Sequence, residues 1–179
     1  MSKRCAPASM PEPGSRLVLW RAYVPRWAHD PLSGAGAARF GGRWNRIGQP
    51  CLYAARELST AWAEYNQGFV QHPATIAQLI LKGARLADLT APDGLRGLGL
   101  PDDLHRAEWR ADLDAGRLPE THRAAERLLE AGFHGLIHPS FMSRGGTGIA
   151  LWRWNGEEGP RLSVIDPEGR LPKTDAPWL

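Results

Sequence analysis

One stretch of the chain, residues 40–48, combines several residue types that can do chemistry: Phe-Gly-Gly-Arg-Trp-Asn-Arg-Ile-Gly. Its adjacent glycines can adopt positive φ and let another molecule approach the backbone closely. Arg43 offers a planar, permanent cation suited to phosphate. Asn45 offers a donor and an acceptor, and Trp44 adds a large aromatic face. Taken alone, the stretch fits either a ligand-binding loop or a tight turn around a buried tryptophan.

Three more side chains have the chemistry to extend such a site. Tyr53 ends a short apolar segment that follows the glycine-rich stretch, and Glu64 lies on a short predicted helix. Ser140 follows a proline at the end of a predicted strand. It lacks the GxSxG elbow of a hydrolase nucleophile, so we interpret it as a hydroxyl at the mouth of a cleft. A glutamate on a helix is usually just solvated, and Glu64 carries little weight by itself.

Two other patterns predict no ligand site. His134 and His138 are four residues apart, but they fall in a predicted strand without the glutamate of HExxH or a third ligand, so we predict no metal site. The segment 144–148, Arg-Gly-Gly-Thr-Gly, matches no phosphate-loop pattern, and a hairpin turn is the better interpretation.

Composition sets the class of protein. The 179 residues suit one domain, and no run of eighteen apolar residues predicts a membrane span. The N-terminal residues lack the apolar centre of a signal peptide, so we expect a cytoplasmic protein. Cys5 and Cys51 form no disulfide framework. The net charge of +3 is spread among interleaved acids and bases, which argues against direct, specific nucleic-acid binding.

The apolar patterns predict a single α+β domain in which strands outnumber helices. We expect a flexible arm over 1–15, a folded domain over 16–168 and a tail over 169–179. We predict strands at 17–23, 51–53, 75–81 (central in its sheet), 133–138, 149–154 and 162–165, and helices at 61–66, 102–115 and 119–131. Residues 25–39 and 83–101 are predicted to be loops. The first helix should be capped by Ser59 or Thr60 and bury Leu58, Trp62 and Tyr65.

Together these positions resemble the RES family, which is named for its arginine, glutamate and serine. The resemblance runs from about residue 17 to residue 154 and rests mainly on the Gly-Arg-Trp-Asn block of 42–45. It also includes the Leu-Tyr pair of 52–53, Glu64 and the Pro-Ser pair of 139–140. It implies a fold like that of the ADP-ribosyltransferases, with a mixed or antiparallel split sheet and flanking helices.

The resemblance also implies a function. NAD+ would be the substrate, and no metal would be required. The chain would be the toxin of a bacterial toxin–antitoxin pair. Its antitoxin would be an Xre-type helix-turn-helix protein that blocks the active site. The ADP-ribose would pass to water, to phosphate or to a protein such as phosphoribosyl pyrophosphate synthetase. These acceptors stay open. The alternative is a non-catalytic basic protein that binds nucleic acid or a partner.

The family's functional residues fall on Arg43, Tyr53, Glu64 and Ser140, with Arg21 as a weaker second arginine. Glu64 would hold the ribose hydroxyls and face the developing positive charge. Arg43 would grip the pyrophosphate, helped by Asn45. Tyr53 would stack on nicotinamide, and Ser140 would bond its amide or the ribose. This account requires residues 43, 53, 64 and 140 to line one pocket.

Overall fold

The computed structural model describes residues 16–68, 70–91 and 93–174. In these ranges one seven-stranded sheet has the order β4-β5-β6-β2-β1-β3-β7. The strands are β1 Arg16–Tyr23, β2 Leu52–Ala55, β3 Thr75–Lys82, β4 Leu86–Asp88, β5 Gly135–Pro139, β6 Thr147–Leu151 and β7 Arg161–Val164. The helices are α1 Ala35–Phe40, α2 Leu58–Asn66, α3 Gly94–Gly97, α4 Trp109–Asp114 and α5 Glu120–Glu130, with 3₁₀ turns at Pro25–Trp27 and Leu104–Arg106. The prediction of an α+β domain with a mixed sheet is confirmed.

The sheet is divided at the junction between β1 and β2. These two strands pair only where Trp20 meets Ala55, whereas β1 and β3 pair along their whole length. One half is therefore β4-β5-β6-β2 and the other is β1-β3-β7. Among the strand pairs of the described ranges, only β4 and β5 run parallel. Helix α2 packs against β1, β2 and β6, so it lies at the junction between the halves.

Two hydrophobic clusters hold the domain together. The first buries strand side chains from both halves, including Leu19, Leu79, Leu81, Leu52, Ile149 and Leu151. Its buried members come from strands or the residues beside them, so the halves cover each other on this side. The second packs α5 and the segment after β4 against Trp44 and Trp152. The indole nitrogen of Trp152 donates to the carbonyl of Trp44 (2.8 Å) and thereby ties the glycine-rich stretch to β6.

Helix α5 follows from its local sequence. Pro119 stands at its N-cap, and Glu120 in the first turn favours the positive end of the helix dipole. Ala124, Ala125 and Leu128 recur at helical spacing and are buried. Gly132, at φ 83°, then ends the segment. The predicted helix at 119–131 is confirmed.

Other predicted elements differ from the structure. The predicted loop at 25–39 contains a 3₁₀ turn and α1, and the predicted loop at 83–101 contains β4 and α3. The predicted helix at 102–115 is interrupted, since only a 3₁₀ turn and the six-residue α4 form there. Each of these elements is too short for periodicity to reveal, and tertiary contacts decide its conformation.

Two further predictions were wrong. Strand β3 is next to the edge strand β7 rather than central. Helix α2 has Glu57 at its N-cap with no side-chain cap. It buries Thr60 and Ala61, while Leu58 is 41% exposed. Trp62 and Tyr65 are half-buried, and the buried face is the one on which Thr60 packs closely against Gly146.

Within the described ranges, no helix is both long and apolar enough to span a membrane. The predicted N-terminal arm, with Cys5, and the end of the predicted tail lie outside those ranges. Cys51 is buried in the second cluster.

Candidate functional site

The centre of the candidate site is a contact between Glu64 on α2 and Ser140 after β5, which are 76 residues apart in sequence. The Ser140 hydroxyl donates to Glu64 Oε1 at 2.5 Å. The backbone N–H of Phe141 donates to the same oxygen at 3.0 Å, and that of Met142 at 3.4 Å. Ser143 N–H donates to Ser140 Oγ at 2.9 Å. The single hydroxyl proton of Ser140 is therefore engaged by Glu64, and Glu64 Oε2 makes no hydrogen bond with the described residues.

The loop that carries Ser140 is fixed to α2. Its two ends join through a hydrogen bond from Ser140 N–H to the carbonyl of Gly146 (2.8 Å). A Cβ on Gly146 would overlap the buried hydroxyl of Thr60, so glycine permits the close packing of loop on helix. Glu57, at the N-cap of α2, accepts hydrogen bonds from Thr60 Oγ1 and from Thr147 N–H. These contacts hold Ser140 in register with Glu64, two helical turns further along α2.

Arg43 lies on the other side of this loop. Its guanidinium carbon is 5.2 Å from the ring centroid of Phe141. Its Nη1 donates only a long hydrogen bond (3.4 Å) to the carbonyl of His105. Burial lowers the pKa of Arg43, attraction to Glu64 opposes that change, and repulsion from Arg110 adds to it. Among the described residues no carboxylate forms an ion pair with Arg43, so its charge is available to an anionic ligand.

Tyr53 and Asn45 support the loop that carries Arg43. The Tyr53 hydroxyl accepts from Trp44 N–H (2.9 Å) and donates to Asn45 Oδ1 (2.8 Å). The Asn45 amide nitrogen donates to three carbonyls, those of Ala37, Arg46 and Gln49. Asn45 is 1% exposed, and burial raises the pKa of Tyr53 well above its usual value. The polar atoms of both side chains are thus bonded within the protein, and the ligand contacts predicted for them stay predictions.

Arg43 lies over the ring of Phe141, and Glu64 accepts hydrogen bonds from Ser140 and Phe141, so the structure brings Arg43, Glu64 and Ser140 close together. The surface that these three residues share is called the cleft, and Tyr53 lies beneath the Arg43 loop. Arg21 makes its contacts elsewhere. Its Nη1 donates to the carbonyl of Pro31 at 2.7 Å, and its guanidinium lies 5.2 Å from the ring centroid of Tyr23. Beside the cleft is an open depression of about 300 Å³ lined by Leu89, Thr90, Ala91, Leu95, Arg96, Asp102, His105 and Pro139.

Sequence reasoning missed one group near this cleft, His138. The side chain is 9% exposed, and its ring centroid is 5.6 Å from that of Trp44. Its pKa is lowered from 6.5 to about 4, chiefly by burial; Arg43 also lowers it, whereas the hydrogen bond to Pro139 and the charge of Glu64 raise it. The spacing to His134 suggested only a metal site, but His134 accepts a hydrogen bond from Arg85 N–H instead. No three metal-ligating side chains meet in the ranges described.

Comparisons with known proteins place this geometry in context. The proteins named NAD(+) phosphorylase MbcT from Mycobacterium tuberculosis and Mycobacterium bovis are 33% identical over 108 residues, which is 51% of this chain. The chain spans 58% of the length of these relatives. Toxin Res of Photorhabdus laumondii is 38% identical over 48 residues, or 27% of this chain and 31% of that protein.

A solved structure supports the fold. The M. tuberculosis MbcT–MbcA toxin–antitoxin complex contains a chain that matches with a TM-score of 0.59 at 20% identity, covering 86% of each chain. At that identity the likeness shows the fold. A model of the RES domain matches residues 18–174, nearly the whole described region. The chain therefore belongs to the RES domain family.

Proposed function

We propose that this chain is an NAD+-consuming toxin that cleaves the bond between nicotinamide and ribose. The observation that carries the proposal is the fixed carboxylate of Glu64, which has one oxygen held by Ser140 and Phe141 and the other without a hydrogen bond to the described residues. The names of the relatives, an NAD(+) phosphorylase and a toxin, point in the same direction.

The reaction requires mainly the stabilisation of positive charge. When the C1′–N bond breaks, its electron pair stays with nicotinamide, which leaves as a neutral molecule from a cationic ring. The ribose is left as an oxocarbenium-like centre, as in glycoside cleavage. Glu64 Oε2 would face that centre and hold the ribose hydroxyls. Because the hydrogen bonds from Ser140 and Phe141 already orient the carboxylate, little reorganisation is needed as charge develops.

Arg43 would bind the pyrophosphate of the dinucleotide. Its guanidinium is half-buried and has no carboxylate partner in the described ranges, and paired N–H donors suit phosphate oxygens. The depression next to His105 gives the remainder of the dinucleotide room on the Arg43 side of the cleft. Tyr53 would hold the Arg43 loop in shape through the hydrogen bonds of its hydroxyl with Trp44 and Asn45.

The acceptor of the ADP-ribose decides the type of enzyme. We propose inorganic phosphate, because the relatives that match half of this chain are named phosphorylases. In that reaction a phosphate oxygen bonds to C1′ and no water is consumed. Water as acceptor would make the chain a glycohydrolase, and a protein side chain would make it an ADP-ribosyltransferase.

Product analysis tests both the cleavage of NAD+ and the identity of the acceptor. The purified chain is incubated with NAD+ in buffer with and without inorganic phosphate, and the products are identified by mass spectrometry. We expect free nicotinamide and a phosphorylated ADP-ribose that appears only with phosphate. ADP-ribose alone would indicate hydrolysis. An adduct on an added candidate protein, such as phosphoribosyl pyrophosphate synthetase, would indicate transfer. The proposed function fails if the chain releases no nicotinamide under any of these conditions.

We also propose that an antitoxin of the Xre type covers the cleft. A cell that makes an NAD+-consuming enzyme needs the active site to be blocked, and the structurally similar chain comes from a toxin–antitoxin complex. Phe141, at the cleft beside Arg43, is 74% exposed and offers an apolar contact for such a partner. Co-expression with the product of the adjacent gene should restore growth and suppress nicotinamide release. Unchanged toxicity would contradict this partner.

A further inference from the structure

His138 is a buried titratable side chain that the mechanism above does not use. It lies on β5, two residues before Ser140, and is 9% exposed. Its ring is tilted at 49° against that of Trp44. On the other side it lies against Gly148 of β6, where a Cβ would come within 2.5 Å of both Cε1 and Nε2. The ring is therefore wedged between an indole and a bare backbone and has one orientation.

The hydrogen bonding of His138 fixes its tautomer. Nδ1 is 2.9 Å from the carbonyl oxygen of Pro139. A carbonyl can only accept, so Nδ1 carries the hydrogen and Nε2 of the neutral ring presents a lone pair. Nε2 has no hydrogen-bond partner in the described part of the chain, and it does not belong to the fully enclosed unpartnered atoms. The lone pair is therefore not fully enclosed, and the ring lies close enough to Glu64 and Arg43 for both charges to act on it.

The donor–acceptor pattern of the cleft leaves a role for this lone pair. Ser140 Oγ donates its proton to Glu64 and already accepts from Ser143 N–H, and Glu64 would face the ribose, so the acceptor atoms of these two side chains are largely engaged. The nicotinamide group carries an N–H₂ donor that needs an acceptor. We infer that His138 Nε2 accepts a hydrogen bond from the carboxamide of nicotinamide and makes the site selective for the amide over the carboxylate. This inference rests on the proposed function.

A role as general base fits the same atom less well. Burial lowers the pKa of His138 to about 4, and a base that weak removes a proton from water or phosphate inefficiently at neutral pH. An amide donor keeps its proton, so it needs only a fixed acceptor. The neutral ring also avoids placing a second positive charge beside the cationic nicotinamide ring.

The selectivity can be measured with two dinucleotides. Nicotinic acid adenine dinucleotide has a carboxylate in place of the carboxamide, so it offers no donor to His138 Nε2. A carboxylate oxygen would instead face the lone pair of Nε2, and the two acceptors would repel each other. Sites built to hydrogen-bond a substrate group reject the analogue that lacks it. We expect the wild-type chain to use NAD+ at least about tenfold better, by kcat/KM, than this analogue.

The decisive variant is His138→Phe, which keeps a ring but removes the acceptor. We expect kcat/KM for NAD+ to fall by about tenfold, while the value for the carboxylate analogue changes little, so the ratio between them shrinks. His134→Phe is the matched control, since His134 bonds to Arg85 outside the cleft, and its ratio should equal that of the wild type. Gly148→Ala keeps the imidazole but displaces it, and should shrink the ratio in the same way.

Two results would overturn the inference while leaving the proposed function intact. One is a wild-type chain that releases nicotinamide but uses both dinucleotides equally. The other is a folded His138→Phe or Gly148→Ala variant with an unchanged ratio. If the chain consumes neither dinucleotide, the proposed function fails. The preference of His138 for the amide is then tested separately by calorimetric titration with nicotinamide and with nicotinate. Tighter binding of nicotinamide supports the inference, and equal binding or no binding of the two overturns it.

Discussion

Replacing Glu64 with glutamine separates the charge of this side chain from its structural role. The amide oxygen of glutamine can still accept the hydrogen bonds from Ser140 Oγ and Phe141 N–H. Those bonds lose their ionic character, and a hydrogen bond to a charged group contributes about 1 kcal/mol more than a neutral one. For a half-buried residue we therefore expect a loss of about 1 kcal/mol in unfolding free energy, or a melting temperature lower by about 2–4 °C.

The effect on activity should be far larger. A full charge about 4 Å from the developing cation, at an effective dielectric constant of about 20, contributes about 4 kcal/mol. Removing it should slow nicotinamide release about a thousandfold, because each 1.36 kcal/mol corresponds to about tenfold in rate. Nicotinamide is quantified by chromatography and mass spectrometry at saturating NAD+, and folding is checked by thermal unfolding.

A second glutamate on the same helix provides the control. Glu57 also accepts two hydrogen bonds, from Thr60 Oγ1 and Thr147 N–H, but it lies at the N-cap of α2. Glu57→Gln should cost a similar amount of stability and leave nicotinamide release near the wild-type rate. The reasoning is refuted if folded Glu64→Gln keeps more than about a tenth of the activity, since a charge worth about 4 kcal/mol cannot then be involved.

Three other predictions follow from particular contacts. Gly42→Ala places a Cβ 2.6 Å from the Tyr53 hydroxyl and should cost about 1–3 kcal/mol of unfolding free energy. The control Gly36→Ala lies in α1, where a Cβ meets nothing within 4 Å, and should not destabilise the protein. A lower melting temperature for Gly36→Ala than for Gly42→Ala would contradict this prediction. Burial lowers the pKa of His138 from 6.5 to about 4, so the unfolded chain binds its proton first and stability falls as the pH drops through that interval. From pH 7 to pH 5 the loss is about 2 kcal/mol, and urea unfolding of the wild type should show it where His138→Phe does not. Cys51 is 1% exposed, and burial raises the pKa of its thiol to about 12. Maleimide should therefore label Cys51 only after unfolding, and peptide mass spectrometry would detect the labelled peptide. Rapid labelling of Cys51 in the native chain would contradict this prediction and show that the region opens.

The extent to which the fold was predictable depended on element length. Strand β1 and helix α5 have strong apolar periodicity, and both were predicted nearly to their ends. Strand β4 has three residues and α3 has four, so neither is long enough to repeat its apolar period. Each forms because it packs on β5 or the second cluster. The position of β3 beside the edge depended on β7, whose pairing partner the sequence pattern alone does not reveal.

The sequence predicted that three candidate residues lie close together, but it did not predict their hydrogen bonds. The order of motifs indicated Arg43, Glu64 and Ser140, and the structure brings these three together. The direction of the Ser140 hydroxyl depends on the backbone path through Phe141, which nothing in the local sequence fixes. His138 escaped notice because its environment comes from Trp44 and Gly148, which are distant in sequence.

The contacts of the glycine-rich stretch explain why its residue types occur together. Gly42 gives the Tyr53 hydroxyl space, and its carbonyl accepts a hydrogen bond from Nε2 of His122. Trp44 is fully buried, and the Asn45 amide is bonded to backbone carbonyls. Arg43 is the residue of this block without strong internal bonds. A half-buried cation without an ion pair opposes folding, because its desolvation is not offset. The three neighbours therefore hold Arg43 in a position that costs stability, as expected where an anionic ligand completes the site.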